Sequence, residues 1–300
     1  MLPATMKAML LTGHGGLDKL VFRDDVPVPR SRAGEVLIEV SACGMNNTDI
    51  WVRQGAYGTD GDPAATASWR RSGEGGNSTL SFPRIQGADI VGKIVAAGEG
   101  VPPARVGERA MVDFSLYNRD DDSLADIDYI GHGRDGGYAE YVAVPADNAW
   151  NVRTSMSDAE LATFCCAYLT GEHMLDRAAV NAGERVLITG ASGGVGSGLI
   201  QLCRARGAIP YGIVGPGKAA RAQAIGAEAV ITRGDGDLRA AVARATGGAP
   251  IDVVADVVAG PLFNHLINIL KPEGRYATAG AIGGPIVQLD LRTIYLKHLQ

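Results

Sequence analysis

Residues 186–196 read VLITGASGGVG, an apolar run followed by Gly190-Ala191-Ser192-Gly193-Gly194-Val195-Gly196. The run predicts a strand over 186–189, and the pattern after the turn predicts a helix over 195–206 ended by Gly207. Glycines spaced G-x-x-G-x-x-G between a strand and a helix permit a tight turn and close backbone approach, and the free amides of the helix start suit a pyrophosphate. Gly190, Ser192, Gly193, Gly194, Val195 and Gly196 are therefore candidate dinucleotide-binding residues.

Downstream the chain alternates. Strands are predicted over 209–214, 230–232, 253–256 and 276–279, and helices over 218–225, 238–245 and 262–270. Such alternation belongs to βαβ units and a doubly wound parallel sheet. In the form of this fold that takes NAD, an acidic residue about 20 positions on meets the ribose 2′-hydroxyl. The second strand instead ends Val214-Gly215-Pro216-Gly217-Lys218, with no carboxylate. Lys218 and Arg221, one helical turn apart, could pair with a 2′-phosphate, which favours NADP(H); the plainer alternative is two solvated helix residues. Before residue 150 the pattern is of short strands, over 36–41, 90–97, 109–113 and 138–144. The polar, glycine-rich stretch 58–81, with Trp69 inside it, reads as an inserted loop. The expected organisation is α/β overall, with domains at 1–150 and 151–300.

Composition excludes several classes. A net charge of −5 and a pI near 5.6 give no electrostatic footprint for nucleic acid. No run approaches the roughly 20 apolar residues that span a bilayer, so no membrane partner is expected. Asp120, Asp121 and Asp122 form the one acidic cluster and read as a solvated loop. Cys43, Cys165, Cys166 and Cys203 include no C-x-x-C, and the start of the chain has too short an apolar core for a signal peptide. A reduced, cytoplasmic location is the default expectation.

Several stretches together resemble the medium-chain dehydrogenase/reductase superfamily. They are Ala42-Cys43-Gly44-Met45-Asn46-Asn47-Thr48-Asp49, GADIVGKIVAAGEGV with RVGER, GGYAEYVAVP, TGASGGVG and DVVADVVAG. The resemblance implies an N-terminal GroES-like β-barrel catalytic domain followed by a Rossmann doubly wound sheet. Zinc-dependent alcohol dehydrogenases of the superfamily take their metal from a Cys, a His in G-H-E, and a later Cys or His. Here the first position is Asn46 and the second Ala88, and only Cys166 matches the third. One thiolate cannot hold Zn²⁺, which needs about three protein ligands, so no metal is expected. His132 reads as a loop residue, and Asp49 as a partner of backbone amides or Arg53 rather than as a base.

The zinc-free, quinone-oxidoreductase branch is similar to this chain at Asn46, at Tyr57 and at the glycine-ended strand Val214-Gly215. That likeness implies an NADPH-dependent oxidoreductase whose Asn46 amide donates to a quinone or enone oxygen. Tyr57 would be a second donor or an apolar wall, and Thr48 aligns with a proton-relaying hydroxyl. Asn46 as a helix cap and Tyr57 as packing are the competing readings. Thr170 with Gly171, and the loop holding Ala281, resemble glycine-bearing ends that line the nicotinamide; plain connections are the alternative. The resemblance also implies a homodimer acting on a small quinone or carbonyl. It leaves open a zinc-type alcohol dehydrogenase, and an NADPH-binding protein with little or no turnover. The expected C-terminal return to the catalytic domain is missing at Gln300, which suggests a truncated chain.

Overall fold

The computed structural model describes residues 2–56, 80–116, 127–234 and 236–300. Tyr57, Trp69, Asp120, Asp121, Asp122 and nearly all of the 58–81 stretch lie outside the described residues. The chain divides into two compact units, Met1–Cys166 and Ala167–Gln300.

The first unit is built from β1 (Thr5–Leu11), β2 (Leu20–Pro27), β3 (Glu35–Gly44), α1 (Asn47–Gln54), β4 (Arg84–Ile85), β5 (Asp89–Ala97), β6 (Arg109–Val112), β7 (Ser115–Leu116), β8 (Asp128–Tyr129), β9 (Tyr141–Pro145), β10 (Ala149–Asn151) and α2 (Asp158–Leu161). The strands form sheets ordered β2-β1-β4, β10-β6-β5-β3-β9 and β7-β8. Inward residues Val36, Ile38, Ile90, Ile94, Val112, Val142 and Val144 make its core. The alternation over 36–41 predicts one buried face, yet Leu37 is also buried. Leu37 is not part of that core, whereas Val36 and Ile38 are, so period-two alternation holds in β3 and its opposite face is covered as well; the register shift beside it puts the extra residue, Val95, in β5. The unit runs on past residue 150 because Leu161 and Ala162 bury their side chains with Val91 of the central sheet.

The second unit has β11 (Arg185–Ile188), β12 (Ile209–Val214), β13 (Ala229–Thr232), β14 (Ile251–Asp256) and β15 (Leu270–Thr278) in one sheet, ordered β13-β12-β11-β14-β15. All four pairings are parallel. A parallel sheet needs both faces covered, and the side chains divide accordingly. Val186, Ile188, Val253 and Ala255 pack with Leu199, Ile200 and Cys203, while Leu187, Ile213, Ile231 and Val254 pack with Val242 and Leu266. The covering helices are α3 (Cys165–Arg177), α4 (Gly194–Ala205), α5 (Ala219–Ala224), α6 (Leu238–Thr246) and α7 (Phe263–Ile269); α8 (Leu291–Lys297) closes the chain. Among the described residues no helix is long and apolar enough to cross a membrane.

The structure corrects one reading of local structure. Thr170 and Gly171 lie within α3, not at a glycine-bearing end. Gly171 serves helix packing, since a Cβ there would meet Leu202 Cδ1 at 3.2 Å and Leu199 Cγ at 3.4 Å.

Candidate active site

Asn46 caps α1, and its extended backbone (φ −123°, ψ 159°) carries the chain out of β3 into the helix. Register pairs Gly44 with Asp89, so the start of β5 stands beside the start of α1. There is no room for a side chain at Gly44, where a Cβ would lie 2.2 Å from the Ala162 carbonyl oxygen. The Asn46 side chain donates from Nδ2 to Asp89 Oδ2 at 3.0 Å, and the Cys166 amide donates to Asp89 Oδ1 at 2.6 Å. A carboxylate only accepts, so Asp89 fixes which end of the Asn46 amide faces it. The second Nδ2 proton has no partner among the described residues.

Asp49 completes the cluster. Its Oδ2 accepts from the Asn46 backbone amide at 2.8 Å and from the Tyr138 hydroxyl at 2.8 Å, and the Gln86 amide binds its carbonyl at 3.0 Å. Asp49 thus holds backbone, as the sequence reading has it, but its side-chain partner is Tyr138; Arg53 turns to the Gly15 carbonyl at 2.6 Å. Thr48 lies half-buried in the first turn of α1. His132 is buried in the turn after β8, with Nδ1 3.5 Å from Asp128 Oδ1. Among the described residues no group of three or more His, Cys, Asp or Glu side chains is arranged to hold a metal ion.

Burial pushes the carboxyls of Asp89 and Asp49 up, against the hydrogen bonds that favour their charged forms, and the charge of Asp49 raises Asp89 further. Burial also pushes the Cys43 thiol up, helped by both carboxylates, which favours its protonated form. The Tyr138 hydroxyl is raised by burial and by Asp49 and remains a donor. The two aspartates therefore bind more protons folded than unfolded. Their contribution to stability is greatest below the unfolded value of about 3.8 and is lost as pH rises through the raised folded values. Asp89→Asn, which cannot ionise, should flatten the fall in urea midpoint across that window; equal slopes in variant and wild type contradict the assignment.

In the second unit the turn after β11 has the geometry its glycines predict. Gly190 has φ +56°, and a Cβ there would lie 2.9 Å from Val257 Cγ2. Gly196 packs so closely that a Cβ would lie 2.3 Å from the Gly190 oxygen. Gly193 caps α4, leaving the first-turn amides of Gly194, Val195 and Gly196 without intrahelical partners. Ser192 is half-buried beside them. Space around Gly215 is open to 4 Å. Lys218 and Arg221 are exposed, and neither side chain is paired among the described residues. Ala281 lies in the turn after β15, where its carbonyl accepts from Gly284 at 2.9 Å. Sequence reasoning missed Asp89, Tyr138 and the buried Asp256; each is a polar residue within or beside an apolar strand, which was the available signal.

A β-rich unit with this polar cluster and a doubly wound sheet with this glycine turn define a nucleotide-dependent dehydrogenase architecture. Residues 32–154 match the family model described as Alcohol dehydrogenase GroES-like domain, and residues 194–300 match Zinc-binding dehydrogenase. A Sinorhizobium meliloti 1021 crystal structure, solved as an alcohol dehydrogenase candidate, is 70% identical with TM-score 0.94 over 99% of this chain and 81% of that one. Quinone oxidoreductase of Rattus norvegicus is 29% identical over 98% of this chain and 78% of its own length. The quinone oxidoreductase structure from Pseudomonas syringae is 26% identical, with TM-score 0.76, over 97% of this chain and 78% of that one. The chain belongs to the alcohol dehydrogenase family of the medium-chain dehydrogenase/reductase superfamily and is quinone oxidoreductase-like, an oxidoreductase of a family that uses nicotinamide cofactors.

Proposed function

We propose that this chain is an NADPH-dependent oxidoreductase that reduces a quinone or α,β-unsaturated carbonyl without catalytic zinc. The observation that carries the reading is the Asn46 amide, at the position where zinc enzymes of the family have a cysteine ligand, held by Asp89 with one Nδ2 proton to spare. A fixed donor aimed at an oxygen where negative charge develops does in part what a Lewis acid does.

The cofactor fits the residues present. The glycine turn leaves a cradle that a Cβ at Gly190 or Gly196 would fill, and α4 supplies amides for a pyrophosphate. Lys218 and Arg221 would take the 2′-phosphate beside the open Gly215. When bound, the reduced nicotinamide supplies hydride, two electrons with one hydrogen. Asn46 donates to the acceptor oxygen, which then takes a proton from solvent. Thr48 and Tyr57 stand as further donors in this reading. Lys218→Ala should raise the Kd for NADPH roughly tenfold or more, as befits a charged hydrogen bond, and leave NADH unchanged. Equal losses with both cofactors would refute the phosphate role.

An acceptor panel with NADPH and NADH tests the activity. NADPH oxidation by simple quinones or enones is the expected result. Turnover confined to alcohols and aldehydes favours an alcohol dehydrogenase, and tight NADPH binding with no turnover favours a binding protein. A homodimer in the cytoplasm belongs to the same reading; sedentary monomer at working concentration, seen by sedimentation, contradicts the dimer.

A further inference from the structure

Asp256 ends β14, next to β11 in the middle of the sheet, and is fully buried. Both of its oxygens are saturated. Oδ1 accepts from the Thr189 hydroxyl at 2.5 Å, from the Val258 amide at 2.8 Å and from the Ala259 amide at 3.1 Å. Oδ2 accepts from the Tyr276 hydroxyl at 2.5 Å and again from the Ala259 amide at 3.1 Å. Thr189, the residue before the glycine turn, accepts in turn from the Val257 amide at 3.0 Å. Burial and Asp256 push the Tyr276 hydroxyl up, which keeps it a donor.

These bonds hold a strained turn. Ala259 has φ +53° and ψ −138°, a conformation that a side chain rarely adopts, and Gly260 follows at φ +57°. The turn touches the cofactor loop on one side, since Val257 and Val258 limit the space at Gly190. On the other it is zipped to the 279–284 turn: Gly283 donates to the Val258 carbonyl at 2.7 Å, and a Cβ on Gly260 would lie 2.2 Å from the Gly283 oxygen.

Strand order places the topological switch between β11 and β14, and a dinucleotide lies across the carboxyl ends of the strands at such a switch. With the adenosine half toward β12, where Gly215 and Lys218 stand, the nicotinamide half falls over the ends of β14 and β15. We infer that Asp256, with Thr189 and Tyr276, is a positioning residue that clamps the Val257, Val258 and Ala259 turn as the wall for the nicotinamide half of the cofactor. The inference rests on dinucleotide binding at the glycine turn and goes beyond it.

Titration of wild type, Tyr276→Phe, Thr189→Val, Thr189→Ser and Asp256→Asn with NADPH and separately with 2′-phospho-ADP-ribose tests it, because the second ligand keeps the 2′-phosphate and lacks the nicotinamide. Tyr276→Phe, Thr189→Val and Asp256→Asn should each weaken NADPH about tenfold and change 2′-phospho-ADP-ribose less than about twofold, with Thr189→Ser close to wild type. Parallel losses on both ligands, or no loss of NADPH affinity in Tyr276→Phe and Thr189→Val, overturn the positioning role. Wild type that binds neither ligand overturns the dinucleotide reading itself, and the positioning role with it.

Discussion

Gly196→Val should abolish measurable NADPH binding, raising Kd by about 100-fold or more, and should cost roughly 1–3 kcal/mol of stability as overpacking does. The cause is local. A Cβ at position 196 would stand 2.3 Å from the Gly190 oxygen and 2.7 Å from Ala191 Cα, and both are backbone atoms that no side-chain rotation can move aside. Helix α4 must then back away from β11 and carry its first-turn amides from the pyrophosphate. Gly215→Ala is the control for stability, because a Cβ there meets nothing within 4 Å. Fluorescence titration with NADPH and urea unfolding read the two effects, and undiminished binding in Gly196→Val would place the cofactor elsewhere.

Asn46→Ala should lower kcat for quinone reduction by about 10²- to 10³-fold, the usual cost of removing one preorganised donor to a developing oxyanion. Kd for NADPH should stay unchanged, because the residues that would hold the cofactor belong to the glycine turn and the end of β12. The substitution also removes one of the donors to buried Asp89, so a stability loss of about 1–3 kcal/mol accompanies it. Asn46→Asp puts a third carboxyl beside Asp49 and Asp89 and should be worse on both counts. A kcat for Asn46→Ala within a few-fold of wild type would reduce Asn46 to a helix cap.

The second unit was legible because its sheet is buried on both faces. The strand expected over 209–214 is found at Ile209–Val214, and the helix expected over 195–206 at Gly194–Ala205. The first unit was less so. β1 and β2 carry no clean alternation, since β2 has no buried residue and a bulge shifts the pairing between Met6 and Ala8. Helix α3 was missed because Gly171 reads as a breaker in sequence, whereas in the fold its missing side chain admits Leu199 and Leu202. Of the site, the glycine turn and Asn46 could be read from motifs. The aspartates that orient them could not, because Asp89 meets Asn46, and Asp256 meets Thr189 and Tyr276, only through strand pairing and long-range contacts.

Metal analysis combined with turnover tests the zinc-free reading. Purified protein should hold far less than one zinc per chain and should oxidise NADPH with a quinone at the same rate before and after treatment with a strong chelator. Stoichiometric zinc, with quinone reduction lost on chelation and restored by the metal, would contradict it.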